Sequence, residues 1–175
     1  LFLYGYFFFG LLWVSSAFSY QEELESLKFI SIFGLPLLLT IISIPGWFFT
    51  AFFWGSRLQS CIAISFGLVI GEYSRSIFFT GFPWNLWAYS LSSFIEMLQT
   101  LNFLGLFAFN LIVVTIFTLP AILFYKFSSI KKLIIFLLTT SLILILYIYG
   151  SYEINKNKDY LKTVNEKINV KIVSP

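Results

Sequence analysis

Glu72 and Arg75 are the residues in this chain whose type and spacing could do chemistry. They lie in the stretch GEYSRSIFFTGFPWNLWAYS (Gly71–Ser90), inside an otherwise apolar run. A charge at the centre of a membrane-spanning helix costs roughly 2.5–3.5 kcal/mol on insertion scales, so such residues are expected to point inward and to be paired. Three residues apart, the two share a helix face and can neutralise each other. Directly after them Gly81-Phe82-Pro83-Trp84 breaks the run. Pro83 removes a backbone donor, and its ring pushes Phe82 out of the helical region. Irregular backbone at membrane depth survives only where protein or a watery cavity covers it. The same residues exclude other chemistries. The chain has no histidine, so Ser-His-Asp and Cys-His catalysis and His-ligated metal sites are ruled out. Cys61, the single cysteine, begins an apolar helix with no base nearby in sequence, where a thiol acts as a small hydrophobe. No cofactor is implied.

The elements that must position this pair are apolar segments. Of 175 residues 59% are hydrophobic, 22% aromatic and only 11% charged, with a mean hydropathy of +0.89; a soluble domain of this size would be about 25% charged. The composition reads as an integral membrane protein. The net charge of +3 is too small, and too dispersed along the chain, for nucleic acid. Five segments read as spans: about 1–20, 29–54, one starting at Cys61, 98–125 and 133–150. Pro36 and Pro45-Gly46 predict a kink in the second. Gly67 and Gly71 in the third have the spacing of a close helix contact. At about 1.5 Å per residue, Glu72 lies roughly 16 Å into that helix. Asn102 and Asn110 in the fourth are suited to bonds across helices, and Trp87 and Tyr89 to the headgroup level.

From Ser151 the chain turns polar and Lys-rich, and Ile168–Pro175 alternates like a short half-buried strand. The basic loops at Arg57 and at Lys126, Lys131 and Lys132 fall on one side and are assigned to the cytoplasm. That puts the tail outside. The chain begins with Leu1 inside an apolar run and lacks a charged leader region, so it reads as a piece that starts partway through a larger protein.

These residues resemble the bacterial apolipoprotein N-acyltransferases. The likeness rests on Glu72-Tyr73-Ser74-Arg75, on Thr80-Gly81-Phe82-Pro83-Trp84, on Ala88-Tyr89-Ser90 and on the helix at Gly105. The closing Lys171-Ile172-Val173-Ser174-Pro175 is similar to the first strand of that family's periplasmic nitrilase-like domain. Ser76 departs from the glycine that the family commonly has after the arginine.

The resemblance implies an all-α polytopic membrane protein of about five transmembrane helices with one broken or re-entrant segment, followed by the start of an α/β nitrilase-like domain. Residues 1–150 would be the membrane domain, and 151–175 a periplasmic linker and first strand. It implies transfer of a phospholipid acyl chain to the N-terminal diacylglyceryl-cysteine of lipoproteins, through a thioester. The partners are then a membrane phospholipid as donor, a diacylated lipoprotein N-terminus as acceptor, and the nitrilase-like domain in cis or as a separate chain. The Glu-Lys-Cys triad that carries the chemistry belongs to that domain, so no catalytic residue is expected here and the piece alone is expected to be inactive. Gly81, Phe82, Pro83 and Trp84 would face substrate at the lipid-access cavity, and Glu72 and Arg75 would brace the broken segment. The implied location is the bacterial inner membrane, multi-pass, with a periplasmic tail. Two other readings use the same residues: a transporter-type subunit, whose midplane sites are also built from broken helices, and a non-catalytic membrane scaffold. The first would need a second broken segment, and the sequence has none of similar pattern.

Overall fold

The computed structural model describes residues 1–18, 20, 25–78, 81, 83–124 and 126–163, and among these the ordered elements are all helical. Helix α1 (Phe2–Gly10) gives way at Leu11–Trp13 to the short α2 (Val14–Ala17). In α3 (Leu27–Ile42) a wider π turn, Ile30–Gly34, comes just before the buried Pro36. A proline ring collides with the carbonyl four residues earlier, and the wider turn gives it room. Ser43 then separates α3 from α4 (Ile44–Phe52), with a bend of 41°. The cause is local: Pro45 has no N–H to return to the Ile41 carbonyl, and the Ser43 hydroxyl adds a bond to the Leu39 carbonyl at 2.8 Å beside the Ser43 N–H at 3.1 Å.

Helix α5 (Arg57–Ile77) is 21 residues long and opens on a Ser56/Gln59 capping box. Beyond the irregular stretch that follows it come a 3₁₀ turn (Trp87–Leu91), α6 (Ile95–Leu98) and α7 (Leu101–Leu104). Gly105, with φ +73°, turns the chain into α8 (Leu106–Thr118); a side chain would strain that conformation. Pro120 closes α8 in a 3₁₀ turn (Leu119–Phe124), and α9 (Ser129–Thr163) runs for 35 residues.

Helix α5 packs between α4 and α8. Its contact with α4 is backbone to backbone, because a Cβ built on Gly46 would overlap the Gly67 carbonyl, and one on Gly67 would overlap Thr50 Oγ1 and the Gly46 carbonyl. The Gly67/Gly71 spacing thus marks a real close approach. Thr50 bridges the pair by sharing its hydroxyl between the Gly46 and Ala63 carbonyls, at 3.0 and 3.2 Å. One apolar core gathers Ala88, Met97, Phe109, Val113 and Leu146, and a second joins Phe7 and Leu11 to Leu39 of α3. Where α9 crosses α6, Gly150 lies directly against the Glu96 carbonyl.

The helices are more interrupted than hydropathy predicts. Among the described residues, α9 is the helix long and apolar enough to cross a membrane by itself, and the bent pair α3–α4 passes only if counted as one span. Just 11% of the most apolar stretch of α9 is buried against protein, so this surface suits an apolar surrounding. Helix α1 is too short at nine residues, about 14 Å against a hydrocarbon core of about 30 Å. Helix α5 has the length, but Ser60, Ser65, Glu72, Ser74 and Arg75 make it polar along a buried stripe. The expected strand at 168–175 lies outside the described residues.

The close approach generates a signed test. Gly46→Ala drives its new methyl into the α5 backbone and is expected to lower stability by about 1–3 kcal/mol. Gly5→Ala, where a Cβ meets nothing within 4 Å, is expected to raise it by about 0.5–1 kcal/mol. Unfolding midpoints of the two variants in SDS-titrated micelles should move in opposite directions.

Candidate functional site

The last turns of α5 place Glu72 and Arg75 one turn apart, with Arg75 Nη2 3.5 Å from Glu72 Oε1. Both side chains are buried, 6% and 1% exposed. An ion pair this deep must recover the desolvation of two charges, which needs further hydrogen bonds. Neighbouring elements supply them. From α8, Asn110 Nδ2 donates to Glu72 Oε2, while Asn110 Oδ1 accepts the Ala88 N–H at 2.8 Å. From α1, the Phe7 ring lies under the Arg75 guanidinium, 4.7 Å from Cζ to the ring centre, a cation–π contact of about 0.5–2 kcal/mol. From the irregular stretch, the Trp84 carbonyl accepts from Arg75 Nη1 at 3.2 Å.

That last bond ties the charge pair to the break. Helix α5 ends as Phe78 turns extended. Gly81 follows with φ +77°, and a Cβ there would stand 2.6 Å from the Ser76 carbonyl, so the position requires glycine on both counts. Asn85 also has positive φ, +58°. Its strain is held by two bonds to α1: the Tyr6 hydroxyl donates to the Asn85 carbonyl at 2.6 Å, and Asn85 Nδ2 donates to the Gly10 carbonyl at 3.3 Å. The second bond takes up a carbonyl at the end of α1. Rings lock the same contact. Tyr6 stacks on Trp87 (5.4 Å, 11°) and Trp13 on Trp84 (5.3 Å, 7°). The Tyr89 hydroxyl returns to the Pro83 carbonyl at 3.1 Å.

Of the residues singled out in the sequence, Glu72, Arg75 and the Trp84 backbone therefore meet at one point. Pro83 and Gly81 shape the same turn, and Phe82 lies outside the described residues. The Trp84 indole is half exposed against Trp13. Trp87 and Tyr89, read as headgroup anchors, also make the contacts above within the chain. Cys61 is buried, 4% exposed. Tyr6, Phe7, Trp13 and Asn85 were not foreseen. Only Asn85, a polar residue between two tryptophans, carried any signal. No set of three or more Cys, Asp or Glu that could hold a metal occurs among the described residues. The arrangement fixes an irregular backbone and leaves one aromatic pair partly open to the surroundings.

Comparison with known proteins points one way. Residues 1–119 match the family model described as apolipoprotein N-acyltransferase N-terminal domain. The chain is similar to the apolipoprotein N-acyltransferase of Rickettsia bellii (strain RML369-C), 31% identical over 179 residues that cover 100% of this chain and 34% of that protein. It is also similar to the proteins of the same name from Rhodopseudomonas palustris and Brucella suis biovar 1, 31% and 29% identical over 121 residues, 69% of this chain and 23% of each of theirs. The chain thus spans between 23% and 34% of the length of these relatives. No solved structure matches it.

Removing one buried charge should cost more than removing both. Arg75→Met strands the Glu72 carboxylate and is expected to destabilise by about 3–5 kcal/mol. Adding Glu72→Gln should restore part of this, with a coupling of about 0.5–3 kcal/mol in a double-mutant cycle. Strictly additive losses would show that the two residues act separately.

Proposed function

Because this chain belongs to the apolipoprotein N-acyltransferase family, we propose that it is the membrane portion of an enzyme that moves an acyl chain from a phospholipid to the N-terminal diacylglyceryl-cysteine of lipoproteins. Its own task is to seat the enzyme in the bacterial inner membrane and to give the acyl chain access to the reacting thiol. The thioester chemistry belongs to a nitrilase-like domain, in cis or as a separate chain, toward which α9 leads on the periplasmic side of a multi-pass fold. Cys61 is not the nucleophile, since a buried thiol in an apolar helix has neither access nor an activating partner.

The observation that carries the reading is the bond from Arg75 to the Trp84 carbonyl. It anchors the backbone at Trp84 to a buried charge pair, while the Trp84 indole remains half exposed. Such a turn has a rigid root and an amphipathic face, which suits a lipid whose headgroup is polar and whose chains are not. Glu72 and Arg75 brace the turn. Trp84, with Pro83, Gly81 and Phe82, is the proposed contact for the donor phospholipid.

In the intact acyltransferase, reconstituted in phospholipid vesicles, Trp84→Ala is expected to slow thioester formation by about two- to tenfold, the worth of one aromatic contact, with normal expression. Trp84→Phe should recover most of the rate. Cys61→Ala should leave it unchanged. Thioester formation at the full rate in Trp84→Ala would sink the substrate-facing role.

A further inference from the structure

Glu72 and Arg75 have more hydrogen-bonding capacity than their protein neighbours fill. Asn110 takes Glu72 Oε2 and the Trp84 carbonyl takes Arg75 Nη1. The Trp87 backbone N–H also faces the Glu72 carboxylate, yet among the described residues Glu72 Oε1, Arg75 Nε and Arg75 Nη2 have no hydrogen bond of good geometry, although all three atoms are buried. The 3.5 Å separation of Nη2 from Oε1 is a charge contact, longer than an N–H···O bond should be. Buried donors and acceptors are satisfied in the great majority of cases, by ordered water when not by protein. Three unfilled atoms on two touching residues are therefore one local demand.

A cavity of about 20 Å³ adjoins them, lined by Tyr6, Phe7, Ser43, Gly71, Glu72 and Arg75 among others. A single water needs roughly 10–15 Å³ by the same measure and two to four polar partners. The space admits one water and is far too small for an acyl chain. We propose that this cavity is a binding site for one ordered water molecule that bridges Glu72 and Arg75. The water accepts an N–H from the guanidinium and donates one hydrogen to Glu72 Oε1. Its second hydrogen has two acceptors on the wall. The Ser43 hydroxyl gives its own hydrogen to Leu39 and the Tyr6 hydroxyl gives its hydrogen to Asn85, so both oxygens keep lone pairs free. The bridge closes the ion pair into a hydrogen-bonded ring touching α1, the α3–α4 bend and α5. It rests on this geometry alone and is independent of the acyltransferase reading.

The test uses the full chain in phospholipid bilayers, labelled with nitrogen-15 at arginine and lysine. Arg57 and Arg75 are the chain's arginines, so an Arg57→Lys variant identifies the Arg75 signals. Solid-state NMR that starts from water magnetisation should show transfer to the Arg75 Nε–H or Nη–H groups with the sign of a dipolar contact. The exposed tail lysines serve as the positive control. Dipolar transfer to Arg75 supports the bridging water. Its absence while the lysines respond, or transfer by proton exchange alone, overturns it.

Discussion

A carboxylate and a guanidinium buried side by side constrain everything around them. Neither can be left alone in an apolar interior, and together they remain stable only if hydrogen bonds replace the water they lost. One helix cannot supply those bonds. Glu72 and Arg75 lie on α5, but their partners come from α1, α8 and the irregular stretch after α5. The pair thus dictates which elements meet. Asn110 shows this best, since one amide side chain joins the Glu72 carboxylate to the Ala88 backbone and so sets α8 against both α5 and the 3₁₀ turn.

The same constraint accounts for the broken helices. An unbroken helix after Ile77 would carry Trp84 away along the axis, out of reach of Arg75. Phe78 turns extended, Gly81 and Asn85 take positive φ, and the chain folds back so that the Trp84 carbonyl faces the guanidinium. Helix α1 stops where Asn85 takes the Gly10 carbonyl. The bend at Ser43 brings Gly46 onto Gly67 and closes the wall on the other side. Local breaks here are the means by which short apolar helices reach a common point.

Much of this was legible in the sequence, for reasons that can be named. Two charges in an apolar run are costly enough that their pairing follows from residue type and spacing, and Gly67 and Gly71 announce a close helix contact. Pro36 and Pro45 mark the strained turns of α3 and α4. What hydropathy could not resolve was the number of unbroken spans, because Leu11–Trp13 and the turn at Gly105 are nearly as apolar as the helices they separate. Nor could it choose among aromatics. In a chain with 23 Phe, ten Tyr and five Trp, nothing in the residue types sets Phe7 or Tyr6 apart from their neighbours. Their roles arise from contacts more than 60 positions away in the chain, such as Tyr6 with Asn85.

Helix α9 has a mechanical side. Its 35 residues make a rod of about 52 Å, while the hydrocarbon layer is about 30 Å thick. Gly150 presses on the Glu96 carbonyl with no side chain between, which makes that point a fulcrum. Beyond it the rod continues for 13 residues to Thr163, a free arm of about 20 Å. Rocking the helix there by a few degrees would sweep Thr163 through an ångström or more, and Ser129, on the longer arm, through more than that. Helix α9 thus has the form of a two-armed lever about Gly150, whose shorter arm ends at Thr163.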